Sequence, residues 1–252
     1  MDIQGKIAIV TGAGSGLGAA TAQTLHAQGA ELWLVDRDET ALDGLKIARA
    51  HKIAADVGDA GQVEAAFNDA AQSFGSPSIL VNCAGIAPAK KISGRDGVMP
   101  LDDFEQVIRV NLVGSFNCLR LAAHMMRDNA PNEDGERGVI INTSSVAAFD
   151  GQIGQTAYAA SKGGIAALTL PAARELAVHG IRVAAIAPGL FGTPLLLNMP
   201  EPVQASLAAT IPFPQRFGRA EEFAELVTSI VRNPMLNGEV IRLDGALRMA
   251  PR

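Results

Sequence analysis

Cysteine, histidine and tyrosine are scarce in this sequence, and the scarcity of the first two removes whole classes of function. Only two cysteines occur in 252 residues, Cys83 and Cys118, far apart and without metal-ligand spacing. That predicts two separate buried thiols, reduced as in a cytosolic protein, and no disulfide framework. The four histidines, His26, His51, His124 and His179, are scattered singly, with no His-x-x-His or His-Glu-x-x-His pattern. No metal is expected. The apolar runs are strand-length, far short of the ~20 residues that a membrane span needs. A net charge of −5 supplies no basic footprint for nucleic acid. The amino terminus, Met1-Asp2-Ile3-Gln4-Gly5-Lys6, runs almost at once into a strand pattern. This predicts no signal or transit peptide, and a cytoplasmic protein.

Tyrosine is rarer still: Tyr158 is the only one, and it stands in Tyr158-Ala159-Ala160-Ser161-Lys162. On a helix, Lys162 lies one turn from Tyr158 on the same face. A free phenol loses its proton near pH ~10, and a cation one turn away favours the phenolate. A chain that uses tyrosine nowhere else and places one beside a lysine is read here as using it for chemistry. The pair alone is weak, since chance produces it in many helices; its neighbours decide.

What is abundant is apolar order. Hydrophobic residues make up 48% and charged residues 19%, a globular composition. Strand patterns fall at Lys6–Thr11, Glu31–Val35, Lys52–Ala55, Ile79–Asn82, Val139–Thr143, Arg182–Ala187 and Val240–Leu243. Helical patterns lie between them at about Gly16–Gln28, Thr40–Ala50, Gln62–Phe74, Leu101–Asp128, Ala157–His179 and Glu221–Asn233. Continuous apolar strands alternating with helices predict an α/β fold, a doubly wound seven-stranded parallel sheet with helices on both faces. No linker or repeat divides the chain, so one domain over 1–252 is expected. Two loops interrupt the alternation, at about 87–100 and 188–214. The first carries Lys90, Lys91 and Arg95; the second is proline-rich and carries Leu190, Phe191, Leu195, Leu196, Leu197 and Met199. Both emerge at the carboxyl ends of strands, where such sheets bind ligands.

Thr11-Gly12-Ala13-Gly14-Ser15-Gly16-Leu17-Gly18 joins the first strand to the first helix. Glycines there (Gly12, Gly16 and Gly18) permit a tight turn and let backbone amides approach a pyrophosphate at the helix start. Asp36 ends the second strand, where a carboxylate accepts from both adenosine ribose hydroxyls and repels a 2′-phosphate. The cofactor expected is therefore NAD in a Rossmann fold. Arg37 is the one neighbour that would accommodate that phosphate; a solvated charge or a cover for adenine is the preferred reading.

With that turn, Asn82-Cys83-Ala84-Gly85, Asn111, Ser145, Tyr158-x-x-x-Lys162 and Pro188-Gly189 in view, the chain resembles the short-chain dehydrogenase/reductase family over essentially its whole length. The resemblance implies a catalytic set of Asn111, Ser145, Tyr158 and Lys162. Chemistry agrees: oxidising a secondary alcohol needs a base for the hydroxyl proton, and Tyr158 is that base. Lys162 lowers its pKa and holds the nicotinamide ribose. Ser145 holds the substrate oxygen. The resemblance alone implies that Asn111 holds a water connecting Lys162 to solvent. By position the resemblance adds cofactor contacts at Ser15, Leu17, Asp56, Val57, Cys83, Phe191 and Thr193, and a substrate contact at Gln155. It also implies a homotetramer built on the Leu101–Asp128 and Ala157–His179 helices.

Longer stretches, Val139–Phe149, Ile186–Leu196 and Asn237–Leu247, are similar to the members of the family that act on 3-hydroxyacyl-CoA. They imply a small-molecule acyl-CoA substrate. The leucine run would cover an acyl chain, and Lys90, Lys91 and Arg95 would meet CoA phosphates. For the cations an exposed, solvated loop is the stronger alternative; for the leucines, core or subunit packing is an equal one. The rival functions are a hydroxysteroid or other secondary-alcohol dehydrogenase, a 3-ketoacyl carrier-protein reductase (opposed by Asp36), and a catalytically silent dinucleotide-binding scaffold.

Overall fold

The β-branched and leucine-rich runs, apolar on both faces, enter the centre of the protein as a parallel sheet. We describe a computed structural model of the chain, which defines residues 1–48, 50–95 and 97–251. In chain order its elements are β1 (Ile7–Thr11), α1 (Gly16–Ala27), β2 (Glu31–Asp36), α2 (Glu39–Gly44), β3 (Ala50–Ala54), α3 (Ala60–Phe74) and β4 (Ile79–Asn82). A two-stranded hairpin comes next, β5 (Ser93–Gly94) and β6 (Gly97–Val98), then α4 (Leu101–Ile108), α5 (Ser115–Met126), β7 (Gly138–Thr143), α6 (Thr156–Leu176) and β8 (Ile181–Pro188). The chain continues through α7 (Pro194–Leu197), α8 (Glu201–Ala209), α9 (Ala220–Arg232) and β9 (Val240–Leu243).

Seven strands form one sheet in the order β3-β2-β1-β4-β7-β8-β9, and every neighbouring pair is parallel. From β1 the chain winds one way to β2 and β3, then crosses back to β4 and winds the other way. The crevice at that reversal opens above the carboxyl ends of β1 and β4, which is where both carry their chemistry-bearing turns.

Two apolar layers hold the helices to the sheet. On one face Leu25 of α1 packs with Phe223, Val227 and Ile230 of α9 against Val10, Leu34 and Ile141. On the other, Phe67 of α3 meets Trp33 edge-on, with centroids 6.1 Å apart, beside Leu119, Met126 and Ile140. Each large side chain so buried stabilises the fold by roughly 1.5–3 kcal/mol.

The structure departs from the periodicity at four places. The expected helix over Thr40–Ala50 stops at Gly44 because Leu45 is extended, and Ala50 already belongs to β3; Arg49, within that span, lies outside the described residues. The expected continuous helix over Leu101–Asp128 is interrupted by a π-helical turn, Arg109–Gly114. The expected loop 188–214 contains the helices α7 and α8, and 87–100 contains the β5–β6 hairpin. Asp96 lies outside the described residues, as does the side chain of Leu195 in α7.

Candidate active site

The turn after β1 is built so closely that its glycines are obligatory. Gly12 has φ +65°, and a Cβ there would stand 2.7 Å from the Ala84 backbone. A Cβ on Gly18 would lie 2.0 Å from the carbonyl oxygen of Gly12. The helix α1 opens at Ser15, which is extended and makes no side-chain capping bond, and the first turn holds no acidic residue. The opening amides therefore face the crevice unpartnered by side chains, an arrangement suited to a diphosphate. Asp36 accepts from the amides of Gly14 (2.8 Å) and Asp38 (3.0 Å), which locks its carboxylate at the rim. Arg37 lines the same crevice. Asp56 is fixed in turn by the amide of Gly58 at 2.8 Å, and Val57 packs against Gly114. Thr193, at the start of α7, would lie 3.5 Å from a Cβ on Gly16, so this helix closes over the glycine turn.

Helix α6 carries Tyr158 and Lys162 one turn apart. The ammonium of Lys162 donates to the carbonyl of Thr143 at 2.7 Å, and Nζ lies 5.9 Å from the centroid of the Tyr158 ring. Ser145, just past β7, accepts from the amide of Ala147 at 3.1 Å, which leaves its hydroxyl proton free to turn toward the cleft. Ser144 donates to the carbonyl of Lys162 at 2.9 Å and ties the strand end to the helix.

Burial governs both titrating groups. It pushes the Tyr158 phenol up, opposed by the Ser145 hydroxyl, and it pulls the Lys162 ammonium down to about 8. The expected lowering of the phenol's pKa by Lys162 is not what the structure shows: the shift is upward, from desolvation, and the tyrosine rests as the acid.

Asn111 lies inside the π-helical turn, fully buried. Its amide donates to Ile86 O (2.9 Å) and Ser161 Oγ (3.0 Å), and its Oδ1 accepts from the Ile86 amide at 2.8 Å. Ser161 passes the bond to the carbonyl of Tyr158 at 2.8 Å. Both amide hydrogens are thus committed to bracing the turn after β4 against α6, so a water relay here would have to use an oxygen of this residue.

Cys83 lines the crevice, and its sulfur accepts from Thr143 Oγ1 at 3.7 Å. Burial pushes its thiol up to about 11, so it remains protonated and packs as a small apolar group. Phe191 serves two neighbours: it lines the cleft and meets Phe223 edge-on at 6.4 Å. Gln155 also lines it, with Oε1 buried and without a partner.

All of the site residues expected from the sequence except Asn111 border one cleft of about 500 Å³. Leu190 and Leu196 line it, whereas Leu197 is half exposed. Of the three cations expected at CoA phosphates, Lys90 pairs with Asp103, and Lys91 and Arg95 stand exposed. Sequence reasoning missed Met249, which reaches the cleft from beyond β9. No local pattern marks that residue, because a later turn delivers it. Among the described residues no cluster of His, Cys, Asp or Glu can hold a metal, and no helix is long and apolar enough to cross a membrane.

A parallel sheet with this glycine turn at its reversal and a Tyr–Lys pair across the same crevice defines a nucleotide-dependent oxidoreductase. The chain belongs to the short-chain dehydrogenase family, whose pattern matches residues 6–203. It is 51% identical over 254 residues to the 3-hydroxyacyl-CoA dehydrogenase type-2 of Bos taurus, covering 99% of this chain and 97% of that protein. The crystal structure of 3-hydroxyacyl-CoA dehydrogenase type-2 from Mycobacterium avium superposes with a TM-score of 0.92 at 40% identity, covering 98% of each chain. A 3-ketoacyl-(acyl-carrier-protein) reductase from Brucella melitensis complexed with NADH superposes with a TM-score of 0.86 at 29% identity. That match covers 98% of this chain and all of the other.

Proposed function

We propose that this protein is an NAD-dependent dehydrogenase that interconverts 3-hydroxyacyl-CoA and 3-ketoacyl-CoA. The observation that carries the reading is convergence: the glycine turn with Asp36, and Ser145 with Tyr158 and Lys162, border one cleft. The names of the relatives supply the substrate class. Asp36, held by two backbone amides, presents a charge that favours a ribose diol over a 2′-phosphate, and the neighbour holding NADH is in keeping with this.

NAD would lie with its diphosphate on the amides of Ser15 to Gly18, its adenosine ribose at Asp36, its adenine at Asp56 and Val57, and its nicotinamide end toward Lys162, Phe191 and Thr193; when bound it supplies the hydride acceptor. Ser145 holds the substrate hydroxyl through Oγ. Tyr158 takes the hydroxyl proton at its phenolate oxygen, or returns it to the ketone in the reverse direction. Lys162, fixed on Thr143, keeps a positive charge behind the phenol and opposes the cost of forming the phenolate in a buried site. Asn111 and Ser161 hold the helix turn that carries Tyr158. Gln155 faces the thioester side, where its unpartnered oxygen accepts from an amide N–H of the CoA arm.

A homotetramer belongs to the same reading. It is supported by exposed apolar side chains, Val113 in the π-helical turn, Phe116 at the start of α5 and Leu170 on α6. A cytoplasmic site is supported by the two free thiols.

The deciding test measures nicotinamide absorbance with acetoacetyl-CoA and purified protein, with NADH and NADPH in parallel. Turnover with NADH is expected. Turnover of steroids alone would replace the substrate, and turnover with NADPH alone would overturn the role of Asp36.

A further inference from the structure

The chain leaves β9 on the far edge of the sheet and then turns back through two consecutive left-handed residues, Gly245 (φ 59°) and Ala246 (φ 67°). An alanine is strained in that conformation, and here Asp244 supports it: Oδ1 accepts from the Ala246 amide at 3.0 Å, and its carbonyl from the Leu247 amide at 3.1 Å. Leu247 is then buried as an anchor.

Arg242 is the hub that holds the carboxyl-terminal segment. Its guanidinium donates to Asp244 (2.7 Å), Asp150 (2.6 Å) and the carbonyl of Leu247 (2.9 Å), and it stacks on Phe149 at 5.4 Å. Gln152 donates to the carbonyl of Ala250 at 2.9 Å, and the Ile153 amide to the carbonyl of Pro251 at 3.0 Å. The segment 247–251 is thereby strapped to the loop that leads into Tyr158, and Met249 is its one residue that lines the cleft. Helix α7 contributes Pro194 and Leu196 to the lining and is held differently: α8, which follows it, buries no residue, and Gln204 ties α8 to the carbonyls of Leu197 and Met199.

We infer that the strapped segment is the fixed wall of the acyl site, and that Met249 sets the length of acyl chain the enzyme accepts, with Arg242 as the positioning residue that holds it there. This rests on the proposed 3-hydroxyacyl-CoA chemistry. A charged hub, a buried anchor and two hydrogen bonds to backbone carbonyls hold Met249 in place, so a longer chain cannot displace it as it can the α7 side. Methionine is unbranched and adaptable, which suits a boundary that must tolerate small differences in chain shape.

The experiment compares kcat/KM over a series of straight-chain 3-ketoacyl-CoA thioesters from four to twelve carbons, for wild type, Met249→Ala, Met249→Phe and Gln152→Ala. NADH affinity is measured in parallel by fluorescence. Removing most of the methionine side chain should raise the long-to-short ratio of kcat/KM by roughly ten-fold or more, the size that one or two methylenes carry in an apolar pocket. Met249→Phe should lower the ratio, and Gln152→Ala, which only loosens the strap, should raise it by less than Met249→Ala. NADH affinity should stay within two-fold of wild type in all three. Folded Met249 variants with an unchanged ratio, on an active wild type, overturn the role of the segment alone. A wild type inert on the whole series but active on other alcohols overturns the proposed substrate class, and this inference with it.

Discussion

Lys162 Nζ donates to the carbonyl oxygen of Thr143 at 2.7 Å while standing 5.9 Å from the centroid of the Tyr158 ring. The strand end therefore holds the cation beside the tyrosine ring. Burial raises the phenol's pKa, so Tyr158 rests protonated at neutral pH. Ketone reduction, which consumes that proton, should run well at neutral pH. Alcohol oxidation, which needs the phenolate, should rise as pH increases. Tyr158→Phe should lower turnover by about 10²–10⁴-fold in both directions and leave NADH binding intact. Steady-state rates from pH 6 to 10, with a fluorescence titration of NADH, check both statements. Normal turnover of the phenylalanine variant would remove Tyr158 from the mechanism.

The lysine itself carries a cost that pH can reveal. Its pKa is pulled down to about 8 from an ordinary 10.5 by burial. Between those values the unfolded chain binds more protons than the folded one, so this group makes stability rise with pH across that window. Below pH 8 both states are charged and the cost is present in full. Lys162→Met should be most stabilised relative to wild type at pH 7, and that difference should shrink toward pH 10.5. Urea melts at several pH values measure it. A difference that grows with pH contradicts the sign.

Asp36 does two jobs, and one substitution separates them. Asp36→Ser should weaken NADH binding and admit NADPH, reversing or erasing the preference between them. It also removes the acceptor for the amides of Gly14 and Asp38, bonds to a charged group worth about 1.5–3 kcal/mol each. A modest fall in the thermal midpoint should accompany the change. Competitive titration with the two reduced cofactors and a melting curve distinguish the effects.

Gly18 tests whether the cradle has any slack. An added methyl group would lie 2.0 Å from the Gly12 carbonyl oxygen, against backbone on an element that cannot move alone. Gly18→Ala should abolish NADH binding and destabilise the domain. Gly61→Ala, where the new carbon meets only Asp59 Oδ1 at 3.4 Å, should match or exceed wild-type stability. Isothermal titration and denaturant melts of the two variants give the comparison.

The inner strands were readable because β1, β2, β4, β7 and β8 are short runs largely apolar on both faces, and only a parallel sheet covered by helices buries such runs. The helix breaks were harder. Periodicity alone makes Leu101 to Asp128 one helix, yet the chain widens into a π-helical turn at Arg109–Gly114, where buried Asn111 reaches Ile86 and Ser161. Those partners are distant in sequence, so no window along the chain contains the reason. The same holds for Lys90, which pattern reading offered to a phosphate and which the fold pairs with Asp103.

Local sequence was enough to propose the chemistry. A lone tyrosine one helical turn from a lysine, a glycine turn between a strand and a helix, and an acid at the next strand end are local patterns with local physical causes. Where those groups titrate, and what borders the substrate, depends on the packed fold. Desolvation of Tyr158 and Lys162 comes from everything packed around them. Met249 reaches the cleft only because the chain reverses after β9 and an arginine hub holds it down. Burial and long-range return are properties of the whole chain's packing, and no neighbouring residues encode them.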